Sequence, residues 1–349
     1  MRIALIINKF GIGGAERLAL DEVAEFRRRG MKVQVITLRP QQKDDMALSR
    51  QVDALRGIPF RSLFDIRAWS ELLPSLRAGH FDAVLTHLWF ANTIGRIASK
   101  FSGIPRVISF EHNVYDRVKS SRQFFIDRLL QSWCTRIIAV SSVVRDSLVA
   151  HGIDEKRITV IPNGIDLERF HSTGTRDTER EFTFLFVGRL VEQKGVDVLL
   201  DALAQVPRGR LQVVGGGVLR ASLEQKTRDL GLVSRVEFLG ARRDIPQLLK
   251  QADCFVFPSR WEGYGLSLIE AAAAGLPIIA SDLPAVRDLV DNGVEALLVA
   301  PEDRAALAKA MQTMMDDLAL RARLAAAGRK KATEFSIARH VDRLLELLA

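Results

Sequence analysis

Short apolar runs alternate with amphipathic stretches along almost the whole of this 349-residue chain, and this alternation limits the fold more than any other feature. Runs that show little apolar–polar alternation of their own are typical of parallel strands covered by helices on both faces. We therefore expect an α/β protein with two βαβ-rich units of similar size. The predicted strands lie near residues 2–7, 32–37, 82–86, 106–110, 136–140, 158–161, 182–187, 210–214, 235–239, 253–257, 277–280 and 296–299.

The stretch around residues 161–181 predicts the boundary between the two units. Residues 161–166, IPNGID, contain the turn formers Pro162, Asn163 and Gly164, and residues 171–181 are polar without apolar periodicity, as in a linker. We place the first domain at residues 1–168 and the second at residues 169–336. The amphipathic helix predicted at residues 337–349 has no strand after it, so we expect it to cover a part of the structure that precedes it.

Composition excludes several classes of protein. A hydrophobic content of 48% and a charged content of 26% are those of a globular protein rather than of a disordered or fibrous one. The two cysteines, Cys134 and Cys254, lie in apolar stretches and predict buried thiols of a reducing compartment, without metal-ligand spacing. We find neither a signal peptide nor a run of roughly 20 apolar residues, and therefore expect a cytoplasmic protein, with or without a peripheral membrane contact.

Charge is unevenly distributed between the two halves. Residues 1–168 contain 25 Lys and Arg against 18 Asp and Glu, a net charge of +7, whereas residues 169–349 contain 25 against 24, a net charge of +1. A basic first half suits nucleic acid, an anionic membrane or a phosphate-bearing substrate. The sequence has neither interleaved aromatics typical of RNA binding nor a basic recognition helix, which disfavours nucleic acid.

A glycine cluster follows the first predicted strand. Gly11 and Gly13 fit the start of a dinucleotide fingerprint, but its third glycine position is Glu16, and the second strand ends at Arg39 without a ribose-binding acid. Gly13 and Gly14 still permit a close backbone approach before a helix N-terminus. The loop therefore predicts an anion-facing turn rather than a nicotinamide or flavin site.

A second loop and helix, within residues 258–282, carry the most informative pattern of the chain. The glycine-broken loop EGYG, residues 262–265, follows an apolar strand and opens a helix, so the backbone amides of Tyr264 to Ser267 are expected to face a diphosphate. Glu270 lies among apolar residues of that helix. Ribose hydroxyls are a natural partner for an acid at the carboxyl edge of such a sheet.

Two further groups follow predicted strands. Gly188, Arg189 and Lys194 come after the strand near 182–187, and two fixed cations there suit a diphosphate leaving group, although solvated loop charges fit the same spacing. His112 follows the strand near 106–110, between Glu111 and Asn113. It is either a hydrogen-bonded structural residue or a ligand contact at the sheet edge.

The order GGAE, EHN, PNGID, GRL-x3-KG and E-x7-E resembles that of the retaining, glycogen-synthase-like glycosyltransferases of family 4, which have the GT-B fold. The resemblance extends over nearly the whole chain. It implies two facing Rossmann-like domains with an interdomain cleft, in which residues 1–168 bind the acceptor and residues 169–336 bind a nucleotide sugar. It also implies that the helix at 337–349 packs back on the first domain.

The same resemblance implies roles for individual residues. Arg189 and Lys194 would hold the diphosphate, Glu270 the ribose, and Glu262 hydroxyls of the donor sugar, with His112 near that sugar at the reaction centre. The catalytic residues would thus be His112, Arg189, Lys194 and Glu262. The other donor-binding residues would be Gly14, Gly188, Gly263, Tyr264, Gly265, Leu266 and Glu270, and the acceptor side would include Gly13, Gly14 and Glu16.

The reaction implied is a front-face, oxocarbenium-like transfer from a nucleotide-diphosphate sugar, with a UDP-sugar favoured, to a hydroxyl with retained configuration. No Asp-x-Asp sequence occurs, so we expect catalysis without a metal or other cofactor. A glycan or polyprenyl-diphosphate-linked acceptor of the bacterial cell envelope would account for the basic first half. Two alternatives remain, a sugar-nucleotide epimerase of the same architecture and, less favoured, a nucleic-acid-binding protein.

Two segments of the first half suggest contact with an anionic membrane. Residues 56–77 and 115–133 mix Arg and Lys with Phe, Trp and Leu, a composition suited to a membrane interface. Ordinary amphipathic helices that cover a sheet have the same composition. Both interpretations stay open at this point.

Overall fold

The computed structural model describes residues 1–11, 13–40, 54–114, 119–170 and 181–349. The chain forms two compact units, one of residues Met1–Gly164 with Ile337–Ala349 and one of residues Ile165–Ser336. The first unit ends four residues before the boundary placed at residue 168. The linker predicted at residues 171–181 lies outside the described residues except for Glu181.

The first unit contains a seven-stranded parallel sheet in the order β3-β2-β1-β4-β5-β6-β7. One strand, β3, was not predicted, because it is a short edge strand without an apolar run. The strands are β1 (Arg2–Ile7), β2 (Lys32–Thr37), β3 (Leu55–Gly57), β4 (Ala83–His87), β5 (Arg106–Glu111), β6 (Arg136–Ala139) and β7 (Ile158–Val160). The helices between them are α1 (Gly14–Arg28), α2 (Ile66–Gly79), α3 (Trp89–Ser102), α4 (Ser121–Leu130) and α5 (Ser142–Ala150).

The second unit contains a six-stranded parallel sheet in the order β10-β9-β8-β11-β12-β13. Its strands are β8 (Thr183–Val187), β9 (Arg210–Val214), β10 (Val236–Gly240), β11 (Cys254–Phe257), β12 (Ile278–Ser281) and β13 (Ala296–Val299). Its helices are α6 (Val196–Ala204), α7 (Arg220–Asp229), α8 (Ile245–Gln251), α9 (Leu266–Ala273), α10 (Pro284–Arg287), α11 (Arg304–Asp316) and α12 (Leu318–Ala332). The last helix of the chain is α13 (Ile337–Leu348).

Alternate residues of β1 pack on opposite faces of the first sheet. Ile3, Leu5 and Ile7 belong to the core beneath α1 and α13, whereas Ala4 and Ile6 belong to the core beneath α2 and α3. Burial on both faces explains why this strand reads as one continuous apolar run. The sheet is thus an inner layer between two layers of helices.

Helix α13 packs on α1 in the first unit. Its apolar stripe contributes Val341, Leu344 and Leu348 to the core. At the edge of this contact, Arg29 Nη1 lies 2.5 Å from Asp342 Oδ1, and Arg29 Nη2 donates to the Ala338 carbonyl at 2.8 Å. Helix α13 therefore covers the first sheet, as expected.

The strand order of both sheets reverses at one point. This switch point lies between β1 and β4 in the first unit and between β8 and β11 in the second. Connections leave in opposite directions on its two sides, so a crevice opens outside the carboxyl ends of those two strands. We therefore expect ligand-binding and catalytic residues directly after β1, β4, β8 and β11.

Two further expectations can be compared with the described residues. Cys134 and Cys254 are buried free thiols, as predicted. Among the helices of the described ranges, none combines the length and the apolar character that a membrane span requires.

Candidate active site

An ion pair joins the two loops that meet at the switch point of the second unit. Lys194 lies in the loop after β8 and Glu262 in the loop after β11, and Lys194 Nζ lies 2.5 Å from Glu262 Oε1. Ser259 donates its hydroxyl to the same carboxylate oxygen at 2.6 Å. The structure thus brings together two residues that are 68 positions apart in the chain.

The surroundings of this pair keep it largely dry. The Lys194 and Glu262 side chains are only 14% and 6% exposed, and the ammonium lies 5.2 Å from the centroid of the Phe257 ring. An ammonium over a ring face is attracted by the ring quadrupole. A cation held in this way by a carboxylate, a hydroxyl and a ring is preorganised to meet an anion without reorganisation.

Arg189 approaches the same pair through a glutamine. The Arg189 side chain is exposed, and its Nη2 donates to Gln193 Oε1 at 3.4 Å. The Gln193 amide donates in turn to the Trp261 carbonyl at 3.0 Å. The predicted cations Arg189 and Lys194 therefore both contact the Trp261–Glu262 segment, Arg189 through Gln193 and Lys194 directly.

A second arginine, Arg260, links these loops through hydrogen bonds, a role that the sequence analysis did not predict. Arg260 forms two hydrogen bonds with the Asp197 carboxylate, at 2.9 and 2.7 Å, and also donates to the Glu192 carbonyl and to Glu302. The hydrogen bonds to Asp197 raise the pKa of Arg260 above its usual value, against the opposing effect of burial. Bidentate Arg–carboxylate pairs fix geometry as well as charge. Arg260 therefore links the loop after β11 to the start of α6 through these hydrogen bonds.

Glycines allow the backbones of these loops to approach closely. Gly195 has a φ of +61°, and a Cβ there would lie 2.1 Å from the Pro258 carbonyl oxygen. Gly215, after β9, has a φ of +136°, and its Cβ would lie 1.8 Å from the Gly188 carbonyl oxygen. The second contact was missed, although three glycines directly after a predicted strand were a usable signal.

The EGYG loop leads directly into α9. Gly265 is the N-cap residue with a φ of +132°, and α9 begins at Leu266. Tyr264 is buried, and burial, followed by the nearby Asp288 charge, raises the pKa of its phenol well above the usual value. Glu270 lies half-buried on α9. Gly263 and Gly188 are the other predicted donor residues of these loops, and the assignment of all of them to a donor stays a prediction.

The glycine turn of the first unit precedes α1 and is partly covered by an acid. Gly13 is the N-cap of α1, and Gly14 is its first residue. The Glu16 side chain folds back over the turn, so that a Cβ at Gly13 would lie 2.3 Å from Glu16 Oε2. A carboxylate there complements the helix dipole. The phosphate and acceptor contacts assigned to Gly13, Gly14 and Glu16 stay predictions.

His112, also in the first unit, directly follows β5. Its Nε2 lies 3.2 Å from Nδ1 of His87, the last residue of β4. Burial lowers the pKa of His112 to about 3. The ring is therefore neutral at physiological pH. His112 is hydrogen-bonded, as the structural interpretation requires, and lies one strand from the switch point, as the ligand-contact interpretation requires.

A buried group of charges that includes Glu111, the residue before His112, was not predicted. Arg96 Nη1 lies 3.1 Å from Asp127 Oδ1, and Lys119 Nζ lies 2.8 Å from Asp127 Oδ2 and 3.1 Å from Glu111 Oε2. Two cations thus face two carboxylates, and all four side chains are at most 2% exposed. The residues come from α3, β5, α4 and the segment before α4, so no local spacing reveals them. Within the described part of the chain, no set of three His, Cys, Asp or Glu side chains is arranged to hold a metal ion.

Comparisons with known proteins decide the family. Residues 12–169 match the family described as Glycosyltransferase Family 4, and residues 169–331 match the family described as Glycosyl transferases group 1. The chain is 30% identical over 305 residues to D-inositol 3-phosphate glycosyltransferase 1 of Catenulispora acidiphila, covering 77% of this chain and 72% of that protein. The chain is a family 4 glycosyltransferase.

Other relatives of this glycosyltransferase extend the comparison. It is 29% identical over 305 residues to the UDP-Gal:alpha-D-GlcNAc-diphosphoundecaprenol alpha-1,3-galactosyltransferase of Escherichia coli, covering 81% of this chain and 79% of that protein. The crystal structure of Anabaena HepE in complex with UDP is similar with a TM-score of 0.88 at 22% identity, covering 100% of this chain and 99% of that chain. The predicted GT-B class, with two parallel-sheet Rossmann-like domains, is confirmed. The family match also favours a transferase over the epimerase and the nucleic-acid-binding protein.

Proposed function

We propose that this glycosyltransferase moves a hexosyl group from a UDP-sugar to a hydroxyl of a glycan or of a polyprenyl-diphosphate-linked acceptor in bacterial cell-envelope synthesis, with retention and without a metal ion. The observation that carries the proposal is the Lys194–Glu262 pair beside Arg189 at the switch point of the second unit. A crevice at that position is where open α/β sheets bind their ligands.

The charges at this site suit a diphosphate. Arg189 presents a planar guanidinium at the surface, whereas Lys194 presents a partly desolvated point charge. The helix α9 begins after Gly265, and a helix N-terminus offers unpaired N–H groups to an anion. These groups supply the positive charge that a metal ion supplies in other transferases.

The chemical step follows from those groups. The bond between the anomeric carbon and the diphosphate oxygen breaks, and the acceptor hydroxyl oxygen bonds to the same face of that carbon. The hydroxyl proton passes to the departing diphosphate oxygen, so charge and atoms balance. Arg189, Lys194 and the first amides of α9 stabilise the negative charge that develops on the diphosphate. Glu262, which holds Lys194 in place, is also expected to contact hydroxyls of the donor sugar.

The donor and acceptor classes rest on relatives. The Escherichia coli relative is named for transfer from UDP-Gal to an acceptor with a diphosphoundecaprenol group, and Anabaena HepE was crystallised with UDP and with UDP-glucose. UDP-hexoses are therefore the first donors to test. A polyprenyl diphosphate would also explain why the first half of this chain carries the excess of basic residues.

A peripheral membrane contact at the cytoplasmic face is the second part of the proposal. Phe64 and Ile66 at the start of α2 are 88% and 82% exposed, and Phe125 and Leu129 are exposed on α4. Apolar side chains beside basic ones can enter the interface of an anionic bilayer. The basic neighbours in sequence are Arg61, Arg67, Arg122 and Arg128. Residues 115–118 of the predicted membrane segment lie outside the described residues.

The decisive experiment is a panel of UDP-, GDP- and ADP-sugars with lipid-linked acceptors, read by mass spectrometry. We expect one UDP-hexose to be transferred, and NMR of the product to give the anomeric configuration of the donor. An inverted product would overturn the retaining mechanism. Activity lost in chelator and restored by Mg²⁺ or Mn²⁺ would overturn metal independence.

Vesicle flotation tests the membrane contact separately. We expect the protein to float with vesicles that contain anionic lipid and to remain below with neutral ones, and a Phe64→Ser/Ile66→Ser variant to float less. A variant at the exposed Val218 of the second unit, Val218→Ser, is the matched control and should float as the unmodified protein does. Equal recovery with both kinds of vesicle would contradict the proposal.

A further inference from the structure

A continuous row of close polar contacts between side chains leads from His112 into the core of the first unit. His112 Nε2 lies 3.2 Å from His87 Nδ1, and His87 Nε2 lies 2.9 Å from Glu22 Oε2. The other oxygen, Glu22 Oε1, lies 2.8 Å from His340 Nε2, whose Nδ1 lies 2.8 Å from the Pro162 carbonyl. Glu22 on α1, His87 on β4 and His340 on α13 are all buried.

The proton positions along this row can be assigned in order, starting from the contact between His340 and the Pro162 carbonyl. The Pro162 carbonyl can only accept, so His340 Nδ1 carries a proton. Glu22 is ionised, because the His87 and His340 partners outweigh burial and lower its pKa to about 2. An ionised carboxylate accepts only, so the nitrogens of both histidines that face it carry protons. His340, protonated on both nitrogens, is therefore an imidazolium that balances the Glu22 charge.

His87 then determines the tautomer of His112. A second imidazolium beside one carboxylate would leave a net buried charge, which is costly, so His87 is neutral with its proton on Nε2. Its Nδ1 consequently bears a lone pair and accepts a hydrogen bond from His112 Nε2. His112 is neutral as well, so its proton lies on Nε2 and its Nδ1 bears the lone pair.

The rings in this row are also fixed in orientation. His87 stacks on Phe110 with a centroid distance of 4.3 Å and an interplanar angle of 12°, and on His112 at 5.4 Å and 19°. The next residue, Leu88, has a φ of +76°, which is strained for a side chain of that kind and requires support from its surroundings. Stacking and backbone together hold the His87 ring between Glu22 and His112.

We propose that Glu22 and His87 are positioning residues that hold His112 as the neutral Nε2–H tautomer, which makes Nδ1 the hydrogen-bond acceptor of that ring. The expected effect on sugar transfer rests on the proposed function, whereas the tautomer does not. A side chain on the C-terminal helix, His340, thereby belongs to the support of a residue at the sheet edge.

Glu22 offers two substitutions with opposite outcomes. In Glu22→Gln, His340 becomes neutral and its Nε2 accepts from the glutamine amide, while the glutamine oxygen still accepts from His87 Nε2–H. The tautomer of His112 is therefore retained although the charge is gone. In Glu22→Met no acceptor faces His87, and His112 is free to exchange between tautomers. His87→Phe removes the hydrogen bond but keeps a flat ring on Phe110.

The experiment is two-bond ¹H–¹⁵N NMR of the full-length protein with ¹⁵N-labelled histidine, in which His112→Asn identifies the His112 signals. We expect a single Nε2–H form in the wild type and in Glu22→Gln, and a tautomer mixture in Glu22→Met and His87→Phe. In the sugar-transfer assay, the two disrupting variants should lower kcat roughly 10-fold or more with donor KM changed less than about 3-fold, as outer partners of functional groups do. Glu22→Gln should keep kcat within about 3-fold of the wild type.

Glu25→Met is the matched control on the same helix. Glu25 is buried and pairs with Arg28 and Arg29 rather than with the histidines, so its loss should lower stability without changing the His112 tautomer or kcat. A wild-type His112 protonated on Nδ1 overturns the proposal, and so does a Glu22→Met variant whose His112 stays entirely in the Nε2–H form. The NMR readout needs no substrate, so the expected tautomers in a protein that transfers no sugar support the positioning and overturn only the proposed function.

Discussion

The sheet edges of the two units have the same topology but hold their polar groups in different ways. In the first unit the groups near the switch point are buried and bonded to one another, as in the row from His112 to His340 and in the balanced charges around Arg96. In the second unit Arg189 is exposed, Lys194 is partly exposed, and the loops approach through glycine backbones.

This difference separates two consequences of substitution. A buried charge that loses its partner destabilises the fold, because no water replaces the partner. A charge at an open crevice loses little of its hydration, so its removal leaves the fold stable and weakens the interaction with a ligand instead. Substitutions that unbalance the buried charges around Arg96 should therefore appear mainly in the free energy of unfolding, and substitution of the exposed Arg189 mainly in turnover.

The largest effect is expected for Arg96→Met. This change leaves Glu111 and Asp127 facing Lys119 alone in a dry interior, and breaking such a group is expected to lower the free energy of unfolding by about 3–5 kcal/mol. Urea unfolding followed by tryptophan fluorescence is a suitable measurement, because three of the four tryptophans lie in the first unit.

A second substitution distinguishes charge imbalance from lost packing. Burial and the neighbouring Glu111 raise the pKa of Asp127, so the ionised form of this carboxylate is disfavoured in its surroundings. The double variant Arg96→Met/Asp127→Asn restores one cation against one carboxylate and should recover part of the lost stability. If the double variant is no more stable than Arg96→Met, charge imbalance is not what destabilises the first unit, and that part of the comparison is wrong.

Lys194→Ala is expected to act on turnover. Removal of one preorganised donor to developing charge lowers kcat by about 10²–10³-fold. The free energy of unfolding should also fall, by about 1–3 kcal/mol, because the buried Glu262 carboxylate then has only Ser259 as a partner. The same lysine change at an exposed position of the second unit, Lys250→Ala, is the control and should alter neither quantity. A large loss of stability with unchanged kcat in Lys194→Ala would reverse the assignment.

Acid sensitivity above about pH 5 should arise mainly from His112 in the first unit. Between about pH 6.5 and 3 an unfolded His112 binds a proton that the native one does not, and between about pH 4.5 and 2 the same is true of Glu22. The unfolded state therefore gains protons as pH falls, and stability is lost in both windows. From pH 6.5 to 5 the contribution of His112 is about 2 kcal/mol.

Two histidine variants test this slope by urea unfolding at pH 7 and pH 5. His112→Gln should flatten the fall in stability between these values, since glutamine does not titrate. His80→Asn replaces an exposed histidine whose left-handed backbone suits asparagine, and it should keep the full slope. An unchanged slope in His112→Gln would exclude a native His112 that resists protonation.

The sequence predicted the layers of this fold better than its polar interior. Periodicity located most strands because each carries its own apolar run, whereas β3 has none. The cations after β8 and the EGYG loop after β11 were found because each follows a strand directly. The contact between Lys194 and Glu262 as an ion pair was not predicted, since only the strand order β8-β11 brings them together.

The histidine row escaped sequence analysis for a related reason. Its members lie on elements far apart in the chain, and no spacing rule connects them. One local signal existed, because Leu18, Glu22 and Phe26 lie four residues apart on one stripe of α1, and an acid on an apolar stripe is either exposed or partnered. The buried Glu22 is partnered, by two histidines.

The smallest effect is expected for an exposed ion pair of the second unit, which sharpens the contrast with Arg96. Arg208 lies 2.7 Å from Asp316, closer than Arg96 to Asp127, but the two side chains are 65% and 50% exposed rather than 1% and 2%. Water already solvates both charges, so Arg208→Ala should change the free energy of unfolding by about 0–1 kcal/mol. The measurement is urea unfolding followed by circular dichroism at low and at high salt, with Arg96→Met in parallel. Equal losses in the two variants would mean that distance rather than burial determines what these pairs contribute.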